Sequence, residues 1–155
     1  MALHIGDKIP EELGTDQQGN PVKSSRYAGR KVALYFYPKD NTPGCTTQAC
    51  SLRDGYSDLQ QAGYEVVGVS IDSTMSHQRF IEKHALPFTL IADTEKRLVE
   101  LFGVWREKTM MGKKYMGTVR TTFLTDEQGV ITHILEGRDV DTKNHAAQIL
   151  GSKQE

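Results

Sequence analysis

Cys45 and Cys50, the only two cysteines of the chain, lie in one stretch, Tyr37 to Asp54, YPKDNTPGCTTQACSLRD. Thr42 is suited to cap a helix and Pro43 to open it, since a missing N–H costs nothing at the first helical position. Cys45 then falls in the first turn, among backbone N–H groups that no preceding carbonyl can reach. An ordinary cysteine, with a pKa of about 8.5, is only about 3% thiolate at pH 7. Helix N-terminal donors and a neighbouring cation stabilise the anion, so this placement suits a nucleophilic sulfur. The other common use of a free cysteine is as a small buried hydrophobe. The Pro-Gly opening and the flanking Thr42, Thr46 and Thr47 favour a reactive thiol that is not buried.

The C-x-x-x-x-C spacing narrows the chemistry further. Five residues of α-helix rise about 7.5 Å and turn about 500°, leaving the two Cα atoms on the order of 8.6 Å apart and on different faces. A disulfide needs about 7 Å or less. An intact helix therefore separates the thiols, and a bond between them requires local unwinding. Gly55 would ease that unwinding, because glycine costs about 1 kcal/mol in a helix interior; a kink or a close packing contact accounts for it equally well. The spacing is not the C-x-x-C of a thioredoxin-type reductase. It is not a zinc site either: His4, His77, His84, His133 and His145 show no paired spacing with the cysteines, and His77 and His84 would stand about 10 Å apart on one helix. All five histidines are expected at the surface or partly buried, and no metal is expected.

The elements that must hold this stretch follow from periodicity. Val32 to Tyr37 is apolar on both faces, the mark of a strand inside a sheet. From Cys45 to Ala62, apolar residues at Ala49, Leu52, Tyr56, Leu59 and Ala62 keep helical spacing until Gly63. Tyr64 to Ile71 is a second buried strand. Ser73 or Ser76 caps a helix ending before Pro87, and Phe88 to Ala92 is a third strand. A helix over Thr94 to Phe102 precedes a stretch, Gly103 to Thr118, that reads as irregular. There Met110, Met111, Tyr115 and Met116 are expected to fill gaps in packing rather than to line a docking face, and Arg106, Lys108, Lys113 and Lys114 to form a solvated loop. Arg120 to Thr125 and Val130 to Leu135 flank a hairpin loop, and Asp141 or Thr142 caps a last helix ending near Leu150. Residues 1 to 30 carry a hairpin turn, Asp16 to Pro21, between two short strands. This order predicts an α/β fold of thioredoxin-like arrangement: a central mixed β-sheet flanked by helices, ending in an antiparallel pair, with an N-terminal β-hairpin extension.

At 155 residues the chain is expected to form one domain, 1–155. Charge is balanced, 19 basic against 20 acidic residues, so neither nucleic acid nor a membrane surface is an expected partner. MALHIGDKIP lacks the apolar core of a signal peptide, and no apolar run approaches the roughly 20 residues of a membrane span. A cytoplasmic protein is expected, where a cysteine pair points to redox or metal work rather than structural work.

The motif Pro38-x-x-x-Thr42-x-x-Cys45 resembles the signature of peroxiredoxins, and with Cys50 it is similar to the bacterioferritin-comigratory-protein, or Q-type, group. Tyr37 to Cys50, Gly103-Val104-Trp105, Gly112 to Gly117 and Arg120 to Leu124 resemble that group in the same order, so the likeness spans nearly the whole chain. Leu52 departs from it where an aromatic is expected, which concerns helix packing alone.

The resemblance implies a thiol peroxidase in which Cys45 attacks a hydroperoxide to give a sulfenic acid. It implies Arg120 as the cation beside the sulfur, Thr42 as a hydroxyl on the peroxide oxygen, and Pro38 as the lid that keeps water off. The backbone N–H groups of Gly44 and Cys45 complete the donors. Cys50 is implied as the resolving cysteine, giving a Cys45–Cys50 disulfide that thioredoxin or a similar dithiol reduces. Neither metal nor organic cofactor is needed. A bond within one chain makes a monomer the expected state, with a dimer compatible. A redox sensor or disulfide relay, and a holdase-type binding protein, are the readings from other classes.

Overall fold

The structure, a computed structural model, describes residues 2–152. Its centre is β3 (Lys31–Phe36), whose side chains alternate strictly between two cores. Val32, Leu34 and Phe36 enter one, and Ala33, Tyr35 and Tyr37 the other. An apolar run without polar alternation is what a strand covered on both faces requires.

Around it the five-stranded sheet runs β5 (Thr89–Ala92), β4 (Tyr64–Ser70), β3, β8 (Thr121–Thr125), β9 (Ile131–Glu136). β3, β4 and β5 are parallel, while β8 pairs antiparallel with both β3 and β9. This is the predicted mixed sheet with its antiparallel end. Ala49 and Leu52 of α1 (Pro43–Asp54), Leu59 of α2 (Tyr56–Gln61), Phe80 of α3 (Thr74–His84) and Ile149 of α5 (His145–Leu150) fill the core on one face. Leu98 and Val99 of α4 (Arg97–Leu101) cover the other face, with Leu13 and Val22 of the N-terminal hairpin β1 (Glu12–Thr15) and β2 (Pro21–Lys23). Ser73 caps α3 as predicted, its Oγ accepting from the Ser76 N–H at 3.1 Å. No helix among the described residues is long and apolar enough to cross a membrane.

Four expectations are corrected. The helix predicted from Cys45 to Ala62 is two helices broken at Gly55, where a Cβ would stand 2.4 Å from that of Ala146, so the glycine is there for close packing against α5. The last helix begins later than predicted, with Asn144 and not Asp141 or Thr142 at its cap position. The stretch 103–118 is not irregular: β6 (Trp105–Met110) and β7 (Lys113–Thr118) form an antiparallel hairpin whose turn, Met111-Gly112, has φ of 52° and 80° at its two residues. Those positive values are the mark of the tight hairpin turn whose twist matches the strands. Finally, the methionines there fill no gap, for Met110, Met111 and Met116 are 62%, 97% and 51% exposed.

Candidate active site

Parallel strand β3 ends at Phe36, and the loop that leaves its C-terminal edge leads directly into α1. Asp40 holds this loop. Its carboxylate accepts from the Tyr37 hydroxyl at 2.6 Å and the Ser76 hydroxyl at 2.7 Å, and its Oδ2 lies 2.7 Å from His77 Nδ1. Burial pushes the Asp40 carboxyl up, but the hydrogen bond and charge of His77, helped by the two hydroxyls, outweigh it and hold the group below its usual value. The Asp40 N–H donates to Asp72 Oδ2 at 2.8 Å. His77 Nε2 donates to the Ile91 carbonyl at 2.9 Å, so the whole network ties the loop to α3 and β5. Asp40, Asp72 and His77 bring ligand-type atoms within 4.8 Å of one another. Each of the three is already engaged in hydrogen bonds of this network, which makes the group a structural clasp.

With the loop fixed, α1 opens as predicted, with Thr42 at the cap position and Pro43 first. The first intrahelical bond runs from the Thr46 N–H to the Thr42 carbonyl at 2.8 Å. The N–H groups of Gly44 and Cys45 precede it and are left without a helix carbonyl. Thr42 does not cap with its side chain; its hydroxyl donates to the Lys39 carbonyl at 2.9 Å, which leaves its oxygen lone pairs open. Pro38 stands half-buried in the loop.

Cys45 is buried, contrary to expectation, at 1% exposure. The first turn of α1 points it inward, into the cluster of Tyr35, Tyr37 and Ala49. Burial and a polar partner coincide here because Arg120 reaches the same place from the segment between β7 and β8, its Nη2 donating to Cys45 Sγ at 3.5 Å. Arg120 Nη1 donates to Gln48 Oε1 at 2.6 Å. One planar fork thus grips two successive turns of the helix. Gly44 makes room for it: a Cβ there would stand 3.1 Å from Arg120 Nη2.

Burial, and after it the neighbouring Cys45 and Asp40, push the Tyr35 phenol well up, so that group stays neutral beside the sulfur. Lys108 of β6 also belongs to the surroundings. Partial burial first, and then the charge of Arg120, pull its ammonium below the usual lysine value, while the Cys45 sulfur acts in the opposite sense.

Cys50 lies five positions on in the same unbroken helix, half-buried, and both cysteines are free thiols. The structure therefore brings Cys45, Arg120, Gly44 and Thr42 to one end of α1 and holds Cys50 away from them, near His84. Sequence reasoning missed Gln48, Asp40, Lys108 and His84. Gln48 did carry a signal: it occupies the face of α1 that buries Cys45, Ala49 and Leu52, where a polar side chain must have a partner. Two histidines expected at or near the surface, His77 and His145, are fully buried, each with both ring nitrogens engaged.

Residues 5–134 match the AhpC/TSA family. Peroxiredoxin Bcp of Bacillus subtilis is 46% identical over 150 residues, covering 97% of this chain and 94% of its own. Peroxiredoxin Bcp of Escherichia coli is 45% identical over 148 residues, covering 96% and 94%. Among solved structures, a peroxiredoxin Q of Xylella fastidiosa superposes with a TM-score of 0.86 at 31% identity, over 97% of this chain and 94% of its own. The bacterioferritin comigratory protein of Xanthomonas campestris gives 0.81 at 32% identity, over 93% and 95%. A family match over most of the chain, relatives of the same length, and a thiol gripped by an arginine at a helix N-terminus agree, and the chain belongs to the AhpC/TSA family as a peroxiredoxin of the Bcp group, a thiol peroxidase.

Proposed function

We propose that the chain reduces hydrogen peroxide and organic hydroperoxides through Cys45, with Cys50 as the resolving thiol and a thioredoxin-type dithiol as reductant. The Cys45 thiolate attacks the hydroxyl oxygen of the peroxide; the O–O bond breaks, the sulfur becomes a sulfenic acid, and the departing alkoxide or hydroxide takes a proton to leave as alcohol or water. The Gly44 and Cys45 N–H groups and the Arg120 guanidinium donate to the two oxygens as charge builds on them, which stabilises the transition state more than the ground state. Thr42, with its proton committed to the Lys39 carbonyl, accepts from the peroxide O–H. Pro38 shields the donors from bulk water. Cys50 then attacks the sulfenic acid once the first turn of α1 has unwound, giving the Cys45–Cys50 disulfide. The acting unit is a single domain, 1–155, working as a monomer in the cytoplasm, with neither nucleic acid nor membrane as partner.

The observation that carries this reading is the 3.5 Å contact of Arg120 Nη2 with Cys45 Sγ at the helix opening. The test is steady-state peroxide consumption with thioredoxin, its reductase and NADPH. Cys45→Ser should abolish turnover; Cys50→Ser should accumulate sulfenic acid and turn over only where an external thiol resolves it. Consumption that survives Cys45→Ser would sink the reading, and a holdase activity indifferent to that change would replace it.

A further inference from the structure

Cys50 is half-buried on α1, and an ordinary thiol is a poor nucleophile at neutral pH, only about 3% ionised. The Arg120 fork, which serves Cys45, is spent on Cys45 and Gln48. What stands beside Cys50 instead is His84, the last residue of α3, with Nδ1 3.9 Å from the Cys50 sulfur. The ring is placed from two sides. Phe80 meets it edge-on, centroids 5.3 Å apart at 77°. Arg53, three residues beyond Cys50, donates from Nη1 to the His84 carbonyl at 2.8 Å, so the segment carrying Cys50 is tied to the residue carrying the imidazole.

We propose that His84 is the general base of the resolving step, taking the thiol proton of Cys50 at Nδ1. This rests on the reading of Cys50 as the resolving cysteine. In the reaction, the Cys50 S–H proton passes to Nδ1 and the freed sulfur lone pair forms the S–S bond with Cys45. The Cys45 S–O bond breaks, and the leaving hydroxide receives the proton back from the imidazolium as water. One sulfenic acid and one thiol become one disulfide and one water, and His84 ends as it began.

The surroundings fit a base and not a standing cation. Partial burial, then the charge of Lys83 on its own helix and that of Arg53 on α1, hold His84 below its ordinary value of 6.5. The Asp54 carboxylate of α1 is engaged by Arg53 Nε at 2.9 Å. The proposed step uses the neutral ring with its proton on Nε2 and its Nδ1 lone pair toward the thiol. The Arg53 tie also accounts for how base and nucleophile stay together while the helix loosens, for it lies on the far side of Cys50 from the turn that must unwind.

The test mixes the reduced full-length protein with one equivalent of hydrogen peroxide. Timed samples are quenched with dimedone or an alkylating reagent, and intact mass separates sulfenic acid from disulfide. In His84→Ala, and in His84→Gln, which keeps the bulk of the side chain, disulfide formation at pH 7 should slow on the order of 10²-fold relative to sulfenic acid formation. In the wild type its rate should fall as the pH drops through the range in which His84 takes up a proton. In the variants that bend should vanish, and added imidazole should restore part of the rate to His84→Ala. Variants that form the disulfide at the wild-type rate with the wild-type pH profile overturn the role of His84 alone. A wild type that never joins Cys45 to Cys50 overturns the parent reading and this one with it.

Discussion

Arg120 does two things at once, and the division between its nitrogens decides how it can be replaced. Nη2 serves Cys45 and Nη1 serves Gln48, whose amide is fully buried and whose Nε2 has no partner among the described residues. A lysine has the charge but a single point of donation, so it cannot hold both. Arg120→Lys should therefore slow sulfenic acid formation by about 10²-fold, close to the loss of a preorganised donor. Competition against a peroxidase of known rate checks this, and a lysine variant with wild-type attack would show that charge alone matters. The placing of Cys45 and Thr42 at one helix opening was legible from the motif, and the family resemblance pointed to Arg120 beside the sulfur, where the structure has it. The burial of Cys45 was not, because the threonines beside it line only one side of the turn, and which side faces the core depends on where β3 delivers the loop.

At the scale of elements, α1 is held unevenly. Its second half carries the Arg53 bond to α3, the Ser51 hydroxyl accepting from the Ala146 N–H at 3.3 Å, and Gly55 pressed against Ala146. Its first turn leans on Arg120 and on the inward packing of Cys45. Unwinding should thus begin at Pro43 and stop short of Cys50. Gly55→Ala would drive a methyl into the Ala146 methyl, a clash that costs about 1–3 kcal/mol in a packed core. The urea midpoint should fall, and pairing the change with Ala146→Gly should restore most of it. A single variant as stable as the wild type would mean that α5 moves aside freely. The break at Gly55 was invisible to periodicity because Tyr56 and Leu59 continue the apolar spacing across it. The β6–β7 hairpin escaped for the opposite reason: eight of its twelve strand residues are exposed and only Thr118 is buried, so it has no period-two apolar pattern to read.

Across the whole molecule, the alternating residues of β3 and the doubly covered β4 made the sheet readable, since a short apolar run bounded by turn residues is what a strand buried on both faces must be. The polar clasps were not readable, as they join residues far apart in the chain. One such clasp makes stability depend on pH. His145 donates from Nδ1 to Gln148 Oε1 at 2.9 Å and accepts at Nε2 from the Thr122 hydroxyl at 2.8 Å, a neutral ring holding α5 onto β8. Burial, outweighing the Gln148 bond, lowers its pKa from 6.5. A histidine depressed in the folded state contributes fully above its unfolded value of about 6.5 and loses that contribution as the pH falls through the lower folded value. Thermal midpoints should drop on acidification from pH 7 to 5, and His145→Gln should flatten that part of the curve; an unchanged slope would place the acid sensitivity elsewhere.

The opening of α1 carries a last consequence. In the proposed mechanism, the N–H groups of Gly44 and Cys45 that would cradle a peroxide belong to the same turn that comes apart before Cys50 arrives. That turn can receive an oxidant or surrender its sulfur, but not both together. On this account the oxidised enzyme is blind to a second peroxide until a reductant lets the helix close, and the catalytic cycle is metered by refolding of a single turn.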